Sequence, residues 1–139
     1  MRRCIDSARQ QSRFVSLFLS RLFAHASPVT APALNASEFE ILADETLERM
    51  VEALSDLEDD RLEADLESGV LTVRFEDGAK YVVNSHRAAL QIWMAAGTTA
   101  WHFSWNGQEW RSSKSDDELW ATVNDRIGAK LGQPLDLRS

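Results

Sequence analysis

A chain of 139 residues with 44% apolar side chains has room for one hydrophobic core, which places it with single-domain globular proteins rather than disordered chains. Its single cysteine, Cys4, excludes a disulfide framework and any cysteine-based zinc or cluster site. The net charge of −7 makes nucleic acid an unfit partner, because so acidic a body repels phosphates.

The charge is unevenly spread. Residues 1–36 hold Arg2, Arg3, Arg9, Arg13 and Arg21 against Asp6 alone, a net +4, which leaves −11 on the other 103 residues. The segment is rich in serine, and its one apolar run, Phe14–Leu19, is too short to cross a bilayer, so no membrane is expected. Three readings stay open: an organellar transit peptide, residues added by an upstream start site, or a secretory signal, which Arg21 would interrupt. In each, 1–36 lie outside the fold, Pro28 and Pro32 fall in a linker, and one domain occupies 37–139.

Ser37-Glu38-Phe39-Glu40 fits a capping box that opens a helix. From there Phe39, Leu42, Ala43, Leu47, Met50, Leu54 and Leu57 recur at helical spacing and form a core-facing stripe. Glu45, Glu48, Glu52 and Asp56 project within ~80° of one another on the far side. Strands follow. Leu62, Ala64 and Leu66 alternate with Glu63, Asp65 and Glu67; Ser68-Gly69 turns the chain; Leu71, Val73 and Phe75 alternate again. Asp77-Gly78 predicts a tight primed turn into a strand over 79–84. Gln91–Ala95 and Trp101–Trp105 are further strands, with a hairpin turn at Asn106-Gly107. Ser115-Asp116-Asp117-Glu118 caps a closing helix whose apolar face is Leu119, Val123, Ile127 and Leu131. Helix, antiparallel sheet, helix predicts an α+β fold, a two-layer sandwich with both terminal helices on one sheet.

Two surfaces carry the candidate chemistry. Thirteen acidic residues lie between Glu38 and Glu67, against Arg49 and Arg61 only, and Glu58-Asp59-Asp60 closes the first helix where its dipole disfavours carboxylates. Like charges four apart each cost a few tenths of a kcal/mol, so the row is either a solubilising face or a weak site for a hard cation. The spacing defines no enclosed cage. On the strand 91–95, Ile92 and Met94 alternate with Gln91, Trp93 and Ala95; if the first pair is buried, Trp93 stands outside beside a polar amide, as interface anchors do. His86 and His102 have no acidic or histidine neighbour at a ligand spacing and are expected on the surface, and Trp120 at the core or its rim.

Ser37-Glu38-Phe39, Leu42-Ala43-Asp44, Gly69–Val73, Asn84, Gln91-Ile92-Trp93-Met94-Ala95 and Trp105–Trp110 together resemble frataxin and its bacterial homologues over roughly 37–137. The resemblance implies an iron-binding, non-enzymatic protein of iron–sulfur cluster assembly, an iron chaperone or regulator of the cysteine desulfurase. Fe2+ or Fe3+ would be held weakly at Glu52, Asp56, Glu58, Glu63 and Asp65, with Asp59 and Asp60 nearby, alongside Glu45 and Glu48 of the helix row. The sheet face with Asn84, Gln91 and Trp93, joined by His102 and Trp105, would meet the desulfurase and the cluster scaffold protein. It also implies a monomer without metal, located in the bacterial cytoplasm, or in the mitochondrial matrix if 1–36 are a transit peptide. A ferroxidase and a metal-independent acidic docking module are the alternatives; the Glu-x-x-His motifs of di-iron bundles are missing. The sequence departs from the family pattern at Glu40, where histidine is frequent, at Val51 and Ser55, acidic in some relatives, and at Ala88 and Met94, for proline and leucine.

Overall fold

The computed structural model describes residues 34–138, and the basic segment lies outside them apart from its last three residues. Those three belong to the fold. Helix α1 runs Ala36–Asp56, and its N-cap is Asn35, not Ser37: the Asn35 carboxamide accepts from the Glu38 amide at 2.9 Å while Glu38 Oε2 accepts from the Asn35 amide at 3.3 Å. An asparagine caps as well as a serine does, and the first helical bond, Phe39 N–H to Asn35 O, fixes the earlier start. The reciprocal glutamate is therefore Glu38, and Glu40 instead pairs with Arg87 at 3.1 Å.

Six antiparallel strands follow in chain order: β1 (Leu62–Glu67), β2 (Val70–Phe75), β3 (Lys80–His86), β4 (Gln91–Ala96), β5 (Thr99–Trp105) and β6 (Trp110–Ser112). A single 3₁₀ turn, Arg87–Ala89, joins β3 to β4. The three-residue β6 follows the hairpin turn expected at Asn106-Gly107, where Asn106 N–H meets Glu109 O at 3.1 Å, and is too short for alternation to mark its bounds. Ser68 and Gly69, at φ 50° and 75°, form the one turn among the described residues whose two central residues are both left-handed, as a type I′ turn requires. At Asp77-Gly78 the expected primed turn is absent. Only Gly78 has positive φ (90°), and its N–H closes a four-residue turn on Phe75 O before Phe75 N–H meets Ala79 O.

Helix α2 (Leu119–Leu131) starts at Glu118, whose carboxylate accepts from the Trp120 and Ala121 amides. Both helices cover one face of the sheet. Phe39, Ala43, Leu47, Met50 and Leu54 of α1 and Leu119, Val123, Ile127 and Leu131 of α2 are buried against Leu71, Val83, Ile92, Met94 and Phe103. The expected two-layer α+β sandwich is the observed fold. Leu42 and Leu57, at the margin of the α1 stripe, are only half-buried.

Candidate metal ridge and docking face

Burying one stripe of α1 obliges its opposite stripe to face water. Glu45, Glu48, Glu52 and Asp56 are all exposed there, and none makes an ion pair among the described residues. The row spans two concavities. Glu48 borders β1 with Asp44 and Leu66, whereas Glu52 and Asp56 form one wall of a cleft of about 300 Å³ whose other walls include Trp105, Trp110 and Glu118. Beyond the helix end, Glu58 sits at φ 48° in the left-handed region and Asp60 is exposed. Glu63 and Asp65 project from the outer face of the edge strand β1, opposite Arg74 and Thr72.

Asp59 is different. Its Oδ1 accepts from the Arg61 backbone N–H at 2.9 Å and from Nε at 3.0 Å, and its Oδ2 from Nη2 at 2.7 Å. That fork holds the carboxyl down at about 2, below its ordinary 3.8, because each bond favours the charged form. Arg61 Nη1 also donates to Leu131 O at 2.8 Å, so the pair caps the end of α2. Asp59 is thereby engaged in the fold, while its neighbours on the ridge are open. Among the described residues no three His, Cys, Asp or Glu side chains converge closely enough to hold a metal ion. The ridge is an open row of hard oxygen donors rather than a cage.

The outer face of the sheet is the second surface. Ile92 and Met94 are buried, which turns Gln91, Trp93 and Ala95 outward. Register sets Trp93 between Asn84 on β3 and His102 on β5, and Gln91 between His86 and Ser104. The side chains use that register. Trp93 Nε1 donates to Gln91 Oε1 at 2.9 Å, and Gln91 Nε2 donates to Ser104 Oγ at 3.1 Å. The imidazole of His86 stacks on one face of the Trp93 indole (centroids 3.9 Å, planes 13° apart) and that of His102 on the other (4.3 Å, 16°). His86 Nδ1 accepts from the Ala89 amide at 3.2 Å. His102 is exposed; Asn84, His86, Gln91 and Trp93 are half-buried.

The sequence places His86 only on the surface, because its partnership with Trp93 is diagonal across a strand pair and depends on register. Trp105 does not join this face. It shares the inward parity of Trp101 and Phe103, packs edge-to-face on Trp110 at 5.3 Å, and lines the cleft beside Glu52 and Asp56. Trp120 is buried. Glu63 and Asp65 share the outer face of the sheet with Trp93 but stand on β1, three strands away, ~14 Å at the usual strand spacing. No helix among the described residues is long and apolar enough to cross a membrane.

Known proteins bear on this arrangement. Residues 32–133 match the family model for the frataxin-like domain. The iron-sulfur cluster assembly protein CyaY of Dechloromonas aromatica is 35% identical over 110 residues, covering 76% of this chain and all of that one. The protein of the same name from Cupriavidus pinatubonensis is 33% identical over 109 residues, covering 76% and 98%. Among solved structures, frataxin from Psychromonas ingrahamii has the same fold (TM-score 0.71, 24% identity, covering 76% of this chain and 100% of that one). Trimeric frataxin from Saccharomyces cerevisiae, complexed with ferrous iron, also shares it (TM-score 0.59, 23% identity, covering 66% and 86%). With a matched domain that spans most of its length and relatives a third identical over 76% of it, this chain belongs to the frataxin family.

Proposed function

We propose that this protein acts in iron–sulfur cluster assembly, in the bacterial cytoplasm, as a carrier of iron and a regulator of the cysteine desulfurase complex. Iron is the cargo, taken weakly by the ridge carboxylates Glu45, Glu48, Glu52, Asp56, Glu58, Asp60, Glu63 and Asp65. Asp59 contributes charge but few free lone pairs, since Arg61 occupies both oxygens. The desulfurase and scaffold protein meet the ridge and the Trp93 face. The observation that carries the reading is the row of exposed carboxylates Glu45, Glu48, Glu52 and Asp56 on α1, which make no ion pair among the described residues although Arg49 lies within the row. Leaving like charges unpaired four residues apart costs stability, and hard oxygens in an open row suit a hydrated cation that is passed on. The same field speeds encounter with a basic protein surface.

The family membership and the names of the CyaY relatives support the pathway. A second reading, a docking module that needs no metal, draws on the lack of three converging ligands among the described residues. An anaerobic Fe2+ titration of the full chain, followed by ¹H–¹⁵N NMR, separates the two. Broadening confined to Glu45–Asp65, reduced in Glu52→Gln/Asp56→Asn, is the expected result. No selective broadening at millimolar iron would leave only the docking function.

A further inference from the structure

We infer that His86 is a positioning residue of the docking face, holding the Trp93 indole edge-on so that an arginine-bearing partner meets the indole rim and the open ring of His102. This rests on the docking role proposed above for the sheet face. Both faces of the indole are already covered, by His86 at 3.9 Å and His102 at 4.3 Å. Its one polar atom, Nε1, is bonded to Gln91. A partner therefore cannot lie flat on Trp93, nor hydrogen-bond to it without displacing Gln91.

The three-ring column is anchored at one end and open at the other. At the His86 end, Nδ1 accepts from the Ala89 amide, and the following turn is closed by Leu90 N–H on Arg87 O at 3.1 Å, with an exposed Arg87–Glu40 ion pair at 3.1 Å beside it. At the other end, the β5–β6 ladder stops at Phe103 opposite Ser112, so among the described residues no strand residue pairs with His102 on that side. His102 itself is exposed. Flat guanidinium groups stack on such rings, and the −11 carried by residues 37–139 favours a basic partner surface. A column fixed before contact loses little side-chain freedom on docking.

The test measures binding of the full-length protein to purified cysteine desulfurase, with the indole Nε1–H signals followed by NMR. Trp93→Ala is expected to weaken binding by a factor of ~100 and His86→Ala by ~10, the latter with a broadened Trp93 indole signal; His86→Phe, which restores a flat ring, should recover to within about threefold. His102→Lys should lose more than His102→Ala, because it repels a guanidinium. Trp93→Ala binding like the wild type, or a wild type that does not bind, overturns the docking role and this inference with it. His86→Ala binding like the wild type while Trp93→Ala fails overturns the inference alone. Equal losses for His102→Lys and His102→Ala overturn the guanidinium assignment. Should His86→Ala fail to fold, His86→Ser against His86→Phe supplies the same comparison.

Discussion

The indole N–H of Trp110 donates to Thr46 Oγ1 at 3.2 Å, and that hydroxyl donates in turn to Leu42 O at 2.7 Å. The relay crosses the interface between β6 and α1, where both side chains are buried. Thr46→Val keeps the shape and removes the acceptor, leaving a buried N–H unpaired. We expect it to destabilise the fold by about 1–3 kcal/mol, read by urea denaturation, with Thr46→Ser much closer to wild type. A neutral Thr46→Val would mean that Trp110 finds another partner.

Glu58 is costly where it stands. A non-glycine residue at φ 48° is strained, and a carboxylate past the end of α1 opposes the helix dipole. Glu58→Gly should raise stability by about 1 kcal/mol while weakening Fe2+-induced broadening in the Glu58–Asp60 loop. A stability gain with unchanged broadening would remove Glu58 from the ridge.

Asp59 makes stability depend on acid. Its folded-state value of about 2 lies below the ordinary 3.8, chiefly through the Arg61 side chain and then the Arg61 amide. A carboxyl depressed on folding stabilises above its unfolded value, and that contribution fades as pH falls from about 4 through about 2. Asp59→Asn should therefore be less stable than wild type at pH 6, with the gap closing below pH ~3. Denaturant midpoints across that range decide it; a constant gap would assign the loss to hydrogen bonding rather than charge.

Gly128 lies inside α2, where alanine would gain up to about 1 kcal/mol in helix propensity. Packing decides the other way. A Cβ at this position would stand 2.7 Å from Gln133 O, in the backbone that folds back after Gly132 and is tied by Gln133 N–H to Gly128 O. We expect Gly128→Ala to lower the melting temperature, with a net loss of about 1–2 kcal/mol. A higher melting temperature would show that the tail yields freely.

Asp77 and Lys130 form an ion pair that ties the β2–β3 turn to α2, holding the Asp77 carboxyl below its usual range through the Lys130 side chain first. Because the pair is solvent-exposed, Lys130→Met should lower the melting temperature only slightly, and less at high salt. A larger loss in guanidinium or heat melts would point to the Lys130 stem packed near Phe75.

Periodicity alone determined a good deal here. The 3.6-residue spacing of Phe39–Leu54 and Leu119–Leu131 and the alternation in Leu62–Phe75 and Gln91–Ala95 specified both helices, most of the strands and the exposed row of acids, because a buried stripe dictates its own opposite face. Parity likewise placed Trp93 outside once Ile92 and Met94 were inside. What tertiary structure decided was whatever depends on the pairing of segments distant in sequence. Register brought His86 and His102 to the two faces of Trp93, and sheet parity sent Trp105 to the cleft beside Glu52. Arg61 took Asp59 out of the open row by reaching across to Leu131. The cap at Asn35 and the turn at Asp77-Gly78 were fixed by hydrogen-bond geometry among near-equivalent candidates, a contest that residue type by itself does not settle.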